Sequence, residues 1–464
     1  MAYTTIDDPS AFFQTVIWSG DGSSTRSITH SGNSNLQPDW TWHKVRSHAA
    51  SHMLYDSTRG VGKRLHSDQN SAEATETNSG TITSFDSNGF SVNTGASNNF
   101  YTNQSGKTYV AWNWKAGGTT PTKTYKVVVV SDSGNKYRFR NSGDTATYAA
   151  SAVTLDLQEG GTYIFDQSDS SNSGHPLRFS TTSNGTHGGG SEYTTGVTTS
   201  GTAGNAGAFT QITVAASAPT LYYYCTQHSA MGGQVNTNST HGQTNFDGSI
   251  LSVVQTNTEA GFSIVTFSGT GSGMTVAHGL GGTPDLIISK ARNDTENWAV
   301  HTTIIDGSVD FLRLSETDAK GNSSFSAPTS TVFGYNGSNN YVVYCFRSIK
   351  GYSKMGSYTG NGSTDGTFVY TGFKPAFVLF KQTSGTEWWG IIDATRDSIN
   401  QGDKYLKAND TVAEGTGLNF DLLSNGIKFR HADAAFNGSG STYIYMAFAE
   451  HPFVSSKGVP VTAR

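Results

Sequence analysis

The stretch LYYYCTQHSAM, Leu221 to Met231, places a thiol, an imidazole and a thioether within seven residues, at Cys225, His228 and Met231. A second imidazole, His175 in SGHPLRF, lies 50 residues earlier, between Gly174 and Pro176 at the start of an apolar segment. One thiolate and two imidazoles in a plane, with a thioether at longer range, form a donor set that keeps copper bound in both oxidation states. The sulfurs favour Cu(I), and the nitrogens remain acceptable to Cu(II). Zinc would use the same thiolate and imidazoles and gain little from Met231. A fold that keeps the four residues without metal is the third alternative, and spacing alone leaves all three open. His187 and His241 sit in Gly/Asn-rich loops and are expected to be solvated, without a role.

A short loop presents three donors to one ion only if a neighbouring loop supplies the fourth, so the surrounding elements decide the matter. They read as strands: TYKVVVV, KYRFRN, AVTLDLQEGGTYIFDQS, HPLRFS, GAFTQITVAA and TLYYYC, separated by Gly, Ser and Asn clusters. Residues 119–245 are thus expected to be one β-sandwich. The loop YCTQHSAM resembles the copper loop of the cupredoxins, and its Cys-x2-His-x2-Met spacing is similar to that of amicyanin. The resemblance implies a cupredoxin-like fold and one copper ion. His175 and His228 would be its imidazole ligands, Cys225 its thiolate and Met231 its axial sulfur.

The rest of the chain repeats itself. Three segments lead with a proline and carry a lysine six residues on: PDWTWHK (Pro38, Lys44), PDLIISK (Pro284, Lys290) and PAFVLFK (Pro375, Lys381). Three aromatic-ended strands close the copies, YVAWNW from Tyr109, YVVYCF from Tyr341 and YIYMAF from Tyr443. WSGDG, FSGTG and YTGNG open them. Such self-similarity marks repeated structural units. The expected organisation is all-β: an N-terminal segment 1–13 as a candidate anchor, a first jelly-roll-like β-sandwich module at 14–118, the inserted sandwich at 119–245 and a linker at 246–261. A second module at 262–350, a third at 351–452 and a tail at 453–464 follow. Asp56 and Arg59 in YDSTRG match Asp393 and Arg396 in IDATRD, whereas the middle copy reads WAVHTTIID. An Asp-x-x-Arg beside a strand is expected as a structural ion pair, not an active site. Cys345, in the closing strand of the middle copy, is expected as a small buried residue.

Composition narrows the function. Of 464 residues only 14% are charged, 54 are glycine, and the net charge is −5 without a long basic run. A nucleic-acid footprint is absent, and no apolar run approaches the roughly 18 residues a membrane span needs. The two cysteines lie 120 residues apart, so no disulfide framework is expected. No Walker or dinucleotide glycine loop and no Gly-x-Ser-x-Gly elbow occurs, and no enzymatic activity is expected. MAYTTIDDPSAFF has neither the basic nor the apolar region of a secretory signal. An adhesin-like composition without an export signal fits a virion protein made in the host cytoplasm and released by lysis; an intracellular β-rich protein and export by a non-Sec route are the alternatives. QPDWTWHKVRS, FDSNGFSV, YVAWNWKAGG and AGFSIVTFSGTGS resemble modules in structural proteins of tailed bacteriophages. That resemblance implies a tail-fibre or receptor-binding appendage, a homotrimer by analogy with symmetric fibres, contacting other virion proteins and a host-surface glycan or protein receptor. A capsid-decorating or tail structural protein without receptor contact, and a copper-dependent electron-transfer protein anchored on the virion, are the alternatives.

Overall fold

The computed structural model of the protein describes residues 3–97, 100–118, 120–145, 148–237 and 242–460. His241, the first two residues of the N-terminal segment and residues 461–464 of the tail lie outside them. The described chain is all-β, with several antiparallel and mixed sheets and one short helix, Ala434–Asn437.

Three sheets share one strand order. In the first, Phe13–Ser19, Thr108–Trp114, Trp40–Val45 and Met53–Asp56 lie side by side, all antiparallel. In the second the corresponding order is Phe262–Ser268, Asn340–Phe346, Leu286–Ala291, Ala299–Thr302. In the third it is Ser353–Thr359, Thr442–Pro452, Phe373–Gln382, Gly390–Asp393. The register repeats as well: Trp40 pairs with Trp114, Leu286 with Phe346 and Phe377 with Phe448. The second sheet extends to eight strands. Residues 246–261, expected as a linker, contribute the strand Ser252–Asn257, which pairs with both Gln243–Asn245 and Phe262–Ser268.

Side chains alternate across a strand, and here both faces are covered. Trp40 and Trp42, Leu286 and Ile288, and Phe377 and Leu379 all enter one hydrophobic core common to the three sheets. The intervening residues Val45, Ile287, and Val378 with Phe380, enter three separate outer cores, each closed by a smaller sheet. In the common core the Trp40 ring lies 4.4 Å from Tyr344 and 4.5 Å from Trp114. The third residue on each inner face is the repeated lysine. Lys44, Lys290 and Lys381 are buried, and each ammonium turns into carbonyls: Val45 and His48, Ala291 and Asp294, Gln382 and Gly385. Burial pushes all three down to about 8.

The contacts between sheets close a ring. The His52 imidazole meets the Lys407 carbonyl at 2.9 Å, from the first sheet to the third. Trp298 donates to the His66 carbonyl at 2.7 Å, from the second to the first. Trp389 donates to the Arg313 carbonyl at 2.8 Å, from the third to the second. These three donors all stand immediately before the fourth strand of their repeat. The Asp-x-x-Arg pairs add a second set. Asp56 and Arg59 are fully buried at 2.5 Å, and Asp56 accepts from the Tyr344 hydroxyl of the second repeat at 2.7 Å. Asp393 and Arg396 are buried in the same way, and Asp393 accepts from the Trp112 indole of the first at 3.0 Å. Each arginine then reaches a glutamate that binds an arginine of the next repeat, Glu73 with Arg292 and Glu414 with Arg46. At the remaining junction the equivalent residues are Thr302 and Met446, which form no such pair: where the carboxylate is missing, the donor is missing too.

Two outcomes follow from this packing. Asp393→Ala strands a buried guanidinium, so it should cost about 3–5 kcal/mol in urea unfolding, whereas Asp393→Leu with Arg396→Met should cost much less, since an apolar pair replaces an ionic one. Burial also pushes His30, His278 and His301 down to about 4 and His43 to about 3, and lowers His52 and His66. Their unfolded values are near 6.5, so between pH 6.5 and about 4 the unfolded chain binds more protons than the folded one. The histidine contribution to stability is therefore full above pH 6.5 and falls with pH below it; melting temperatures at pH 7.5 and 5 should show the drop, and His43→Leu should reduce its slope.

Candidate metal centre

Residues 122–236 form two further sheets around their own core. One runs Asn135–Asn141, Thr122–Ser131, Thr162–Asp166, Phe209–Thr213, Val197–Ser200; the other runs Leu155–Asp156, Gly233–Asn236, Leu221–Cys225, Leu177–Ser180. Cys225 ends the strand LYYYC directly opposite Leu177. His175 stands two residues before Leu177, so antiparallel pairing brings the two loops together. Thr226 N–H donates to the Pro176 carbonyl at 3.1 Å and ties them.

The three donor atoms converge. Cys225 Sγ lies 3.8 Å from His175 Nδ1 and 3.8 Å from His228 Nδ1. All three lie within 4.8 Å of one another, and the imidazole rings tilt at 44° with centroids 4.5 Å apart. Bonds of about 2.3 Å to sulfur and about 2.05 Å to nitrogen, meeting at about 120°, hold S and N roughly 3.8 Å apart. The group can therefore hold a metal ion and has the donors of a type 1 copper site. Cys225 is fully buried, His175 half-buried and His228 exposed, so the cluster opens to solvent on the His228 side. Burial, reinforced by the neighbouring His228, lowers the His175 pKa and favours the neutral form that binds metal. Met231 is buried in the same core as Cys225 and lines the surface opening together with His228.

The surroundings fix the ligand peptides. The His175 carbonyl accepts from the Tyr137 hydroxyl at 2.7 Å and from the Gln167 amide at 2.9 Å. Gln167 also accepts from Leu177 N–H at 3.0 Å, so one side chain spans Pro176. Tyr137 is buried beside Cys225, and its hydroxyl is raised well above its ordinary value by burial and the thiol. Gly232 permits the loop to turn back, because a Cβ there would collide with the Tyr223 carbonyl. Spacing offered no sign of Tyr137 or Gln167, which act through pairing across the sheets. His187, expected to be solvated and without a role, is exposed but hydrogen-bonds through Nε2 to the Cys225 carbonyl at 3.0 Å.

A model of the family described as Domain of unknown function (DUF7483) matches residues 8–175 and 234–452. The chain belongs to this family. No curated protein and no solved structure matches it. The DUF7483 match covers the three ring sheets but stops at His175 and resumes at Gln234. Cys225, His228 and Met231 thus lie between its two segments, and family membership by itself says nothing of the metal. Neither cysteine is in a disulfide; Cys345 is buried in the second outer core. Removing the sulfur should remove the site: Cys225→Ser should take bound metal from about one ion per chain to near none, measured by elemental analysis after dialysis.

Proposed function

We propose that this chain is a bacteriophage virion structural protein, a tail-fibre or receptor-binding appendage, that displays one copper ion in a cupredoxin-like sandwich carried on three jelly-roll-like modules. The convergence of Cys225, His175 and His228 within 4.8 Å carries the copper part of this reading. The likeness of the repeats to phage structural modules carries the virion part. His175 and His228 would bind through Nδ1, Cys225 through its thiolate, and Met231 would be the axial sulfur. Copper, when bound, supplies a one-electron couple; the chain's contribution is to favour the neutral form of His175 and to bury the sulfur. Other virion proteins and a host-surface glycan or protein receptor are the proposed partners.

Two observations favour second readings. His228 is exposed, which suits a copper-dependent electron-transfer protein anchored on the virion. The closed ring of three repeats suits a single copy seated on the axis of a three-fold partner, in place of the homotrimer expected by analogy. A mass of one chain or of three in solution separates those states.

The decisive test is an absorption spectrum of the purified, copper-treated chain. A sulfur-to-copper charge-transfer band that is lost in Cys225→Ser is the expected result, and a colourless protein holding zinc at the same residues would overturn the copper reading. Met231→Leu should keep the band and shift the reduction potential, because the axial ligand tunes the potential while the thiolate carries the band. Labelling the chain on assembled particles places it on the tail fibre if the appendage reading holds, and on the capsid if the decorating alternative does.

A further inference from the structure

We infer that His187 is a positioning residue for the Cys225 ligand, an inference that rests on the copper reading of the site. The tight turn Gly185–Gly188 lies over the ligand loop and grips it at two points. His187 Nε2 meets the Cys225 carbonyl at 3.0 Å. A carbonyl only accepts, so this nitrogen carries the proton. At the other end, the Asn184 amide oxygen accepts from Ala230 N–H at 2.7 Å, one residue before Met231. The turn sits this close because Gly185 has no Cβ, which would run into the Tyr224 ring, and because Asn184 adopts φ 62°. His187 also lines the opening it shares with Asn135, Gln227, His228, Ser229 and Met231.

The physical consequence concerns order. Residues 227–230 are exposed, with little packing of their own to hold them. A loop free to move would have to be ordered when the metal binds, and that entropy weakens binding. The His187 hydrogen bond fixes the Cys225 peptide plane and with it the direction in which the thiolate leaves the backbone. It also draws electron density from that peptide, so removing it changes the copper–sulfur bond as well as the loop.

The experiment uses the full chain with copper alone, comparing wild type, His187→Phe and His187→Gln. Affinity is read by competition with a chelator and the sulfur–copper bond by its charge-transfer band. His187→Phe should bind copper roughly 10–100-fold more weakly, as loss of a group that orients a ligand does elsewhere, and should shift the band. His187→Gln, whose amide can donate to the same carbonyl, should recover most of both. If His187→Phe keeps the wild-type affinity and band, or if His187→Gln is as impaired as His187→Phe, the inference is overturned while the copper site stands. If wild type itself shows no band, both fall together. Should the phenylalanine variant not fold, His187→Ala takes its place with the same expected losses.

Discussion

The structure depends on one shared hydrophobic core. Trp40, Trp42, Leu286, Ile288, Phe377 and Leu379 project from equivalent strands into the same interior, and no one sheet can cover them. The first ring sheet alone would present Phe13, Trp40, Trp42, Leu54, Val110, Trp112 and Trp114 to water, at about 1.5–3 kcal/mol apiece. The repeats are therefore not beads on a string. The common core makes the three sheets one cooperative body, and the ring of carbonyl hydrogen bonds from His52, Trp298 and Trp389 sets how they meet.

The third junction shows how such a ring tolerates divergence. Two junctions hold a buried carboxylate, a guanidinium and a donor ring from the neighbouring repeat; the third holds Thr302 and Met446 at the same positions. A lone carboxylate there would be buried without its arginine, and a lone hydroxyl or indole would lose its acceptor. Both are costly, whereas replacing the whole set by less polar residues is nearly neutral. The members of the set are absent together, as that arithmetic requires. This junction relies on Trp389, on Lys320 N–H to the Thr383 carbonyl, and on packing.

Short apolar and aromatic runs bounded by turn residues announce strands, so PDWTWHK, YVVYCF and TLYYYC were legible as such. The candidate metal cluster was legible because the chain has only two cysteines and three of the four residues lie in one loop. What a repeat cannot announce is which face of each strand it shares. Trp40 and Val45 are both apolar, and nothing local says that one enters the common core and the other a private one. Nor could composition separate the strand Ser252–Asn257 from a linker, since four of the six residues in SVVQTN are polar and the strand is held by pairing on both edges. His187 was missed for a similar reason: its glycine-rich context describes its own loop and not the strand end it reaches across to.

The sandwich that carries the candidate metal centre is attached through a strand of the ring. The strand Gln243–Asn245 is the edge of the eight-stranded ring sheet, yet its side chains and carbonyls serve the inserted segment. The Tyr125 hydroxyl donates to the Thr244 carbonyl at 2.8 Å, and Asp156 N–H to the Thr244 hydroxyl at 2.8 Å. The Tyr163 hydroxyl donates to Gln243 Oε1 at 3.2 Å. On the entry side, Asn257 donates to the Gly117 carbonyl, and the buried Asp39 accepts from Ala116 N–H, Gly117 N–H and Gln255. One strand is therefore common to both bodies, and the chain is pinned where it leaves the ring as well as where it returns. A flexible tether would let the sandwich sample many orientations. A shared strand holds the His228 edge of the cluster in a fixed relation to the ring, so whatever approaches that edge meets it in one orientation relative to the three repeats.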